Sequence, residues 1–544
     1  MFRLPFLASI IFAPLLSLAA PLNERAANPT VSISSGRIIG TATSVSNQPT
    51  VTGLVNAYLG VPFASSPPLR FAPPAAPEAW TTPRVAQTLP PACLQQFSTG
   101  SSGALEKKYF NNPSLAPPAE SEDCMYLNVF APQDASPTNL KAVMFWIFGG
   151  DLEFGTASLA YYNGSSLAVN EDVVVVAANY RTNIFGFSNS PQIPFGQQNS
   201  GLLDQRFALE WVQQNIKHFG GDPARVTIFG ESAGAYSIKQ LLALPPSPLP
   251  FQAAILESQQ TLIVGNGLTA YEQVLAHFGC ALAASPIDCL RKVSGTDIQT
   301  YIAQAGLSFP PVEGDGTYLA SQTLPSIVSG KFADVPILIG TNANEARVFL
   351  AVAGLDNGTN IVDDVLGLVG LNVSTIEQSI GATYAADIVD NTDLLVSQIA
   401  TDLLFTCTTQ TFSSAIQAAG RQPVWRYRYN AAFADTSLFE NAGAYHTSEI
   451  PEVWGTYPTS TQYGSVTPDQ IALSKYMQGV WAGFAKNPTA GPGWPKLGSN
   501  GGVELGDLGN AAENATGERT VALSEADYPC ALYDPILLAA GLAY

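Results

Sequence analysis

The residues of this 544-residue chain whose types and spacing can carry a reaction begin at Val226–Gly234, read VTIFGESAG. A β-branched run leads into Gly230-Glu231-Ser232-Ala233-Gly234, and a helix-compatible stretch, Tyr236–Leu244, follows. Strand, G-x-S-x-G and helix in that order make a sharp turn that stands a serine hydroxyl clear of a sheet edge as a nucleophile. The glycines are needed because the turn strains the serine backbone, and side chains two residues away on either side would collide. A serine nucleophile needs a base, and there are only three histidines. His218, within KHFGGDP, reads as a solvated helix-end residue, and His277, just before Cys280, as a structural one. Turns of this kind take their partners in the chain order serine, acid, histidine. His446, in GAYHTSEIPEVWG, is the histidine that leaves room for an acid after the last strong strand, so it is the expected base.

The acid is expected at a strand's C-terminal end between Ser232 and His446. The run Val335–Ile339 opens into Gly340-Thr341-Asn342-Ala343-Asn344-Glu345, which puts Glu345 just past the sheet edge. Its role there would be to hold the imidazole tautomer and stabilise the imidazolium without taking the proton. Glu313 and Asp315, in PPVEGDG, are the rival carboxylates, but they follow no comparable strand exit. Glu231, beside the nucleophile, is expected to stand behind the reacting groups.

The elements that must position these groups alternate short β-branched or aliphatic runs with longer helical segments, the pattern of an α/β sheet protein. Candidate strands are Ala142–Phe148, Val173–Ala178, Val226–Phe229, Ala253–Leu256, Val335–Ile339 and Val424–Tyr429. Unbroken apolar runs such as 173–178 imply burial on both faces of the sheet. Apolar residues at helical spacing predict a helix over Asp204–Phe219, and Thr467 with Pro468 opens a last helix over Pro468–Ala485. Proline-rich stretches at 64–91 and 113–118 read as long surface loops of one body.

The composition narrows the surroundings and the partners. Forty-three acidic against 24 basic residues give a net charge of −19. With no basic cluster, nucleic acid and anionic membrane surfaces are repelled, and a neutral small molecule remains as partner. Residues 1–20 carry Arg3, an apolar run from Leu4 to Leu18 and small residues at Ser17 and Ala19, the pattern of a cleaved secretory signal; residues 21–544 are expected to form a single domain. The apolar run is short for the ~20 residues of a membrane span and is broken by Pro5 and Pro14. An even six cysteines suit an oxidising compartment, and chain proximity favours Cys93 with Cys124 and Cys280 with Cys289, leaving Cys407 for Cys530. No C-x-x-C spacing points to zinc. Asn163, Asn357, Asn372 and Asn514 lie in glycosylation sequons.

Together these segments resemble the secreted type-B carboxylesterases and lipases, the α/β-hydrolases that include cholinesterases and fungal lipases. The resemblance runs from TGLVNAYLGVPFA near residue 52 to the FAKNP and Cys530 region. It is carried by FGGDPARVTIFGESAG from Phe219, by GLLDQRFALEWVQQNI from Gly201, and by EDCMYLNVFAP from Glu122, where Met125 replaces the usual Leu. It implies a large, mostly parallel sheet flanked by helices, with long loops and helical insertions around a gorge. It places the acid on Glu345, in GTNANEARVF, and the base on His446, and it implies the same three disulfides. Relatives carry three glycines after the strand that ends at Phe148; here the loop reads Gly149-Gly150-Asp151-Leu152-Glu153. Carried over, the oxyanion hole is the backbone N–H of Gly150, Asp151 and Ala233.

The chemistry implied is acyl transfer through an acyl-enzyme, which needs no cofactor or metal. In relatives the loop closed by the first disulfide can cover the gorge. Between Cys93 and Cys124 it holds Leu94, Phe97, Leu105, Tyr109, Phe110 and Leu115 among many polar residues, and no tryptophan. This polarity favours a general carboxylesterase on apolar, uncharged esters over a triacylglycerol lipase or sterol esterase with transient lipid contact. The missing tryptophan disfavours choline esters. A non-catalytic, adhesion-type member of the fold is the rival from another class, set back by the presence of all three candidate residues.

The Asp151 carboxylate is the exception to the pattern. At ~4 Å and an effective dielectric of ~20, a like charge opposes an oxyanion by about 4 kcal/mol, so the side chain is expected to point away or to bond a neighbour. Asp151→Gly is then expected to change kcat only modestly in steady-state hydrolysis; a hundred-fold gain would show a carboxylate facing the reacting oxygen.

Overall fold

A computed structural model describes residues 28–539 except 49, 112–115, 261–262, 264, 319–322, 354–378, 381 and 385–391. The expected signal segment and the sequons at Asn357 and Asn372 lie outside the described residues.

Eleven strands form the central sheet. In chain order they are β1 (Thr41–Thr43), β2 (Val55–Pro62), β3 (Tyr126–Pro132), β4 (Lys141–Ile147), β5 (Val174–Ala178), β6 (Gly221–Glu231), β7 (Ala253–Glu257), β8 (Ile337–Asn342), β9 (Val424–Tyr429), β10 (Val503–Asn510) and β11 (Asn514–Ala522). Their order across the sheet is β11-β10-β9-β8-β7-β6-β4-β5-β3-β2-β1. From β5 to β10 every ladder is parallel, and the ladders toward the two edges are antiparallel. This is an α/β-hydrolase sheet. A separate small sheet joins Thr30–Ile33, Gly36–Ile39 and Arg84–Val85.

Every residue of β4, β5, β7 and β8 is buried. Helices cover both faces of such strands, which explains the unbroken apolar runs. The six expected strands are all present. Five more sheet strands escaped the sequence reading: β1, which is only three residues long, and β2, β3, β10 and β11, whose apolar residues are interrupted by polar or glycine positions. The helix expected over Asp204–Phe219 is Ser200–Asn215, tightening into a 3₁₀ turn over Ile216–Phe219. The helix Pro468–Lys486 starts as expected, with Thr467 Oγ1 accepting the N–H of Gln470 at 3.2 Å, yet it is not the last. The β10–β11 hairpin and the helix Cys530–Ala539 follow it, the latter pinned by the Cys407–Cys530 disulfide. Cys93–Cys124 and Cys280–Cys289 are the other two bridges. The proline-rich stretch 64–91 is not wholly superficial, since Phe71 and Ala86 are buried in the main core.

Chain order places the site. The chain runs from β4 to β5 on one side of β4 and then crosses to β6 on its other side. Neighbouring parallel strands whose connections leave in opposite directions open a crevice at their carboxyl ends. Beside that crevice Arg181, just after β5, makes a two-pronged ion pair with Asp204 of the covering helix. Its Nε and Nη2 lie 2.7 Å from the two carboxylate oxygens, with both side chains buried. Removing one partner of such a pair strands the other charge. Asp204→Ala is therefore expected to destabilise the protein by about 3–5 kcal/mol, read as a fall in the denaturation midpoint; a loss below about 1 kcal/mol would mean that Arg181 regains water.

Candidate active site

The strand β6 ends at Glu231 and the helix Ala233–Ala243 begins two residues later, leaving Ser232 at φ 56° and ψ −122°. That conformation is strained for any residue with a side chain. The glycines answer to the neighbouring strand. A Cβ on Gly230 would lie 2.5 Å, and one on Gly234 2.0 Å, from the carbonyl oxygen of Ile147 at the end of β4. Ile147 pairs with Gly230 in the sheet, so the loop after β4 leaves directly beside Ser232. Gly149 lies so close that an added Cβ would stand 2.8 Å from that of Ser232. The N–H groups of Gly150 and Asp151 enter no backbone hydrogen bond among the described residues. The N–H of Ala233 opens a helix and has no intrahelical acceptor. The three N–H groups named from the sequence thus lie in the two segments that meet at Ser232.

The segments that follow β8 and β9 supply the rest. Glu345 follows β8 by three residues; its Oε1 accepts the N–H of Asn342 at 2.7 Å, and its Oε2 lies 2.7 Å from Nδ1 of His446. The backbone repeats the link, His446 N donating to the carbonyl of Glu345 at 3.1 Å. Phe349 and Phe405 pack their rings 5.0 and 4.9 Å from the imidazole and shield it from water. Phe405 sits on a π-helical turn, Asp402–Thr406, an insertion in the helical ladder of a kind that often marks functional sites.

Glu231 is fully buried, its Oε1 3.0 Å from Nε2 of His446 but outside hydrogen-bond geometry. Burial, and then the neighbouring carboxyls Glu449, Glu345 and Glu257, push its pKa well above the usual carboxylate range. Burial does the same to Glu257, whose Oε1 accepts the indole N–H of Trp481 at 2.8 Å. Glu449 accepts the side-chain N–H of Asn342 and is pushed up to about 8 by burial, then by Glu345. Burial thus shifts all three toward the neutral form, which lessens the negative charge competing around the imidazole. Only Glu231 and Glu345 of this group had a sequence signal. Glu257 and Glu449 sit at a strand end and three residues past His446, places that no motif distinguishes.

Ser232, His446 and Glu231 line one cavity of about 530 Å³. Its walls are mostly apolar, with Phe154, Leu159, Phe349, Leu404, Phe405 and Ile450 among them. The loop between Cys93 and Cys124 folds into the helix Gly100–Phe110 and contributes Glu106, Tyr109 and Phe110 to the same cavity. Leu115 lies outside the described residues. Asp151 and Glu153 also line it, and among the described residues no Lys or Arg does. Asp151 takes the second course expected of it, its carboxylate accepting the side-chain N–H of Gln260. The rivals are elsewhere. His218 is exposed, His277 stacks on Tyr301 with ring centroids 3.7 Å apart, and Asp315 accepts from Asn199 and Thr317. No group of three or more metal-ligating side chains occurs among the described residues.

Glu449 binds its proton more tightly in the folded chain than in the unfolded one, so stability from this group is fullest below about pH 4.5 and declines as pH rises toward 8. Glu449→Gln keeps the acceptor and removes the titration. Its melting temperature is expected to fall less than that of the wild type between pH 5 and pH 8 in thermal scans; equal slopes would mean that Glu449 is already ionised.

The carboxylesterase family model matches residues 27–514. Cocaine esterase of Homo sapiens is 32% identical over 521 residues, covering 90% of this chain and 89% of that protein. Carboxylesterase 1E of Mus musculus is 31% identical over 528 residues, covering 90% and 92%. Fumonisin B1 esterase of Sphingopyxis macrogoltabida is 33% identical over 478 residues, covering 82% of each. With an α/β-hydrolase sheet and a strained strand–serine–helix turn at its switch point, and matched along nearly its whole length by this family model and such relatives, the chain belongs to the carboxylesterase family and is a carboxylic ester hydrolase.

Proposed function

We propose that Ser232, His446 and Glu345 are the catalytic triad of a secreted general carboxylesterase, with the backbone N–H groups of Gly150, Asp151 and Ala233 as its oxyanion hole. The observation that carries this reading is the 2.7 Å contact of His446 Nδ1 with Glu345 at the wall of the cavity that Ser232 lines. With Nδ1–H committed to Glu345, Nε2 is the free base. It takes the Ser232 proton as Oγ attacks the ester carbonyl, and the oxyanion forms against the main-chain N–H groups. His446 then returns the proton to the leaving alcohol. Water activated at the same Nε2 attacks the acyl-enzyme, the C–Oγ bond breaks, and Ser232 regains its proton.

The cavity supports an apolar, uncharged ester. Its aromatic and aliphatic walls favour apolar acyl and alcohol groups. Asp151 and Glu153 in its wall are displaced toward the neutral form chiefly by burial, to about 6 and about 8, so they offer hydrogen bonds to an uncharged ester. Relatives named for esters as different as cocaine and fumonisin B1 match this chain, so kinship alone selects no acyl or alcohol group. The helix Gly100–Phe110 buries only Gly103 and Tyr109 and carries Glu106, Lys107 and Lys108, which speaks against a broad oil-binding lid. Three disulfides fit an oxidising, secreted or lumenal setting. Among the described residues no helix is long and apolar enough to cross a membrane. Residues 1–20 would be the leader and 21–544 one hydrolase body, with Asn163, which is exposed, and Asn514 as glycan acceptors.

A fluorophosphonate probe is expected to label the wild type and not Ser232→Ala, and Glu345→Gln to lower kcat by about 10³–10⁴ with little change in KM. Folded wild-type protein that takes no label would return the chain to the adhesion-type reading. Hydrolysis across acyl lengths from acetate to oleate, below and above solubility, separates the substrates; a rate jump at the oil interface would move the assignment to lipase.

A further inference from the structure

We infer that Gln260 is a positioning residue for the oxyanion hole, holding the Asp151 carboxylate away from it through a hydrogen bond across the cavity floor. The inference rests on the proposed role of the Gly150 and Asp151 N–H groups and concerns what keeps them usable.

Asp151 and Leu152 stand at φ 56° and 57°, consecutive left-handed residues with side chains, immediately after Gly150 at φ 107°. Such a turn persists only where its surroundings hold it. Part of it is held conventionally. Leu152 is buried, its carbonyl accepts Asn183 N–H at 2.7 Å, and Glu153 N–H and Phe154 N–H both return to the carbonyl of Gly150. Asp151 differs from these, because its side chain is anchored to another strand's exit. Gln260 lies three residues after β7, donates its backbone N–H to the carbonyl of Ser232 at 3.3 Å and its side-chain Nε2 to Asp151 Oδ1. One residue therefore touches both the nucleophile's backbone and the loop that would hold the oxyanion.

The carboxylate needs this partner for a chemical reason. It belongs to the residue whose own N–H is proposed to bind the oxyanion, and it lines the reaction cavity. Released, it can turn to accept the same N–H groups or sit against the oxyanion, and either course removes stabilisation where negative charge develops. Glu106 from the helix Gly100–Phe110 and Glu153 from the same loop are the other carboxyls of this wall, and neither supplies a counter-charge. A neutral amide donor satisfies Asp151 without placing a cation beside the reacting ester.

A two-by-two kinetic cycle tests this. In the wild-type background Gln260→Ala is expected to lower kcat by about 10- to 100-fold, with KM changing less than about threefold. In the Asp151→Gly background, whatever its own activity, adding Gln260→Ala is expected to cost less than about threefold, because the side chain to be held is gone. Equal losses in both backgrounds, or no loss in the first, overturn the inference while leaving Ser232 labelling and the ester-hydrolase reading intact; loss of labelling dependence on Ser232 would instead overturn that reading. If Gln260→Ala does not fold, Gln260→Glu is the second variant. It sets two carboxyls against each other and is expected to lose kcat, and adding Asp151→Asn, which exchanges donor and acceptor, is expected to recover at least about tenfold of that loss. A swapped pair as slow as Gln260→Glu alone overturns the inference.

Discussion

The structure depends on one steric constraint, the close passage of Ser232 and its glycines past the end of β4. Gly230 and Gly234 both face the carbonyl of Ile147 at distances no side chain could occupy. The serine between them is held at φ 56° and ψ −122°. Strain of this kind survives only in a frame that cannot relax. Here the frame is a set of parallel strands buried on both faces, with β4 and β7 fixed on either side of β6. The same passage brings the loop after β4 beside Ser232, so the proposed nucleophile and the proposed oxyanion donors are brought together by one contact.

Electrostatics then follow from burial rather than from the chain's net charge. A chain with a charge of −19 surrounds one histidine with several glutamates. Left ionised, they would repel one another in a low-dielectric interior. Burial raises the pKa of Glu231, Glu257 and Glu449 and so favours their neutral forms, while Glu345 is the carboxyl placed against Nδ1 of His446. The selection among them is geometric: Glu345 is steered by the N–H of Asn342, while the closest oxygen of Glu231 lies near Nε2 without hydrogen-bond geometry.

The fold was legible in the sequence where periodicity was strong. Runs such as VVVAA and the VTIFGE approach to the turn read directly as buried strands, and so did the helix opened by Thr467 and Pro468. The hairpin strands β10 and β11 at one side of the sheet were not, because glycines and charged residues such as Asp507, Glu518 and Arg519 interrupt their apolar positions. Chain proximity sufficed for two disulfides and left the third by elimination, a route that works only for small even numbers of cysteines. The flap was read by composition alone, which did not disclose that Tyr109 and Phe110 turn inward to the cavity.

By itself the sequence singled out candidate groups: a serine flanked by glycines, one histidine late enough in the chain, and an acid just past a strand. These are local properties, set by residue type, spacing and short-range sterics. Only the tertiary structure decided which carboxyls share the histidine's surroundings, which aromatic rings cover it, and that Gln260 reaches Asp151 across 109 residues of chain. Those contacts join side chains from separate strand exits, and the energy of bringing them together is supplied by burial of the whole sheet. No local pattern encodes such a meeting.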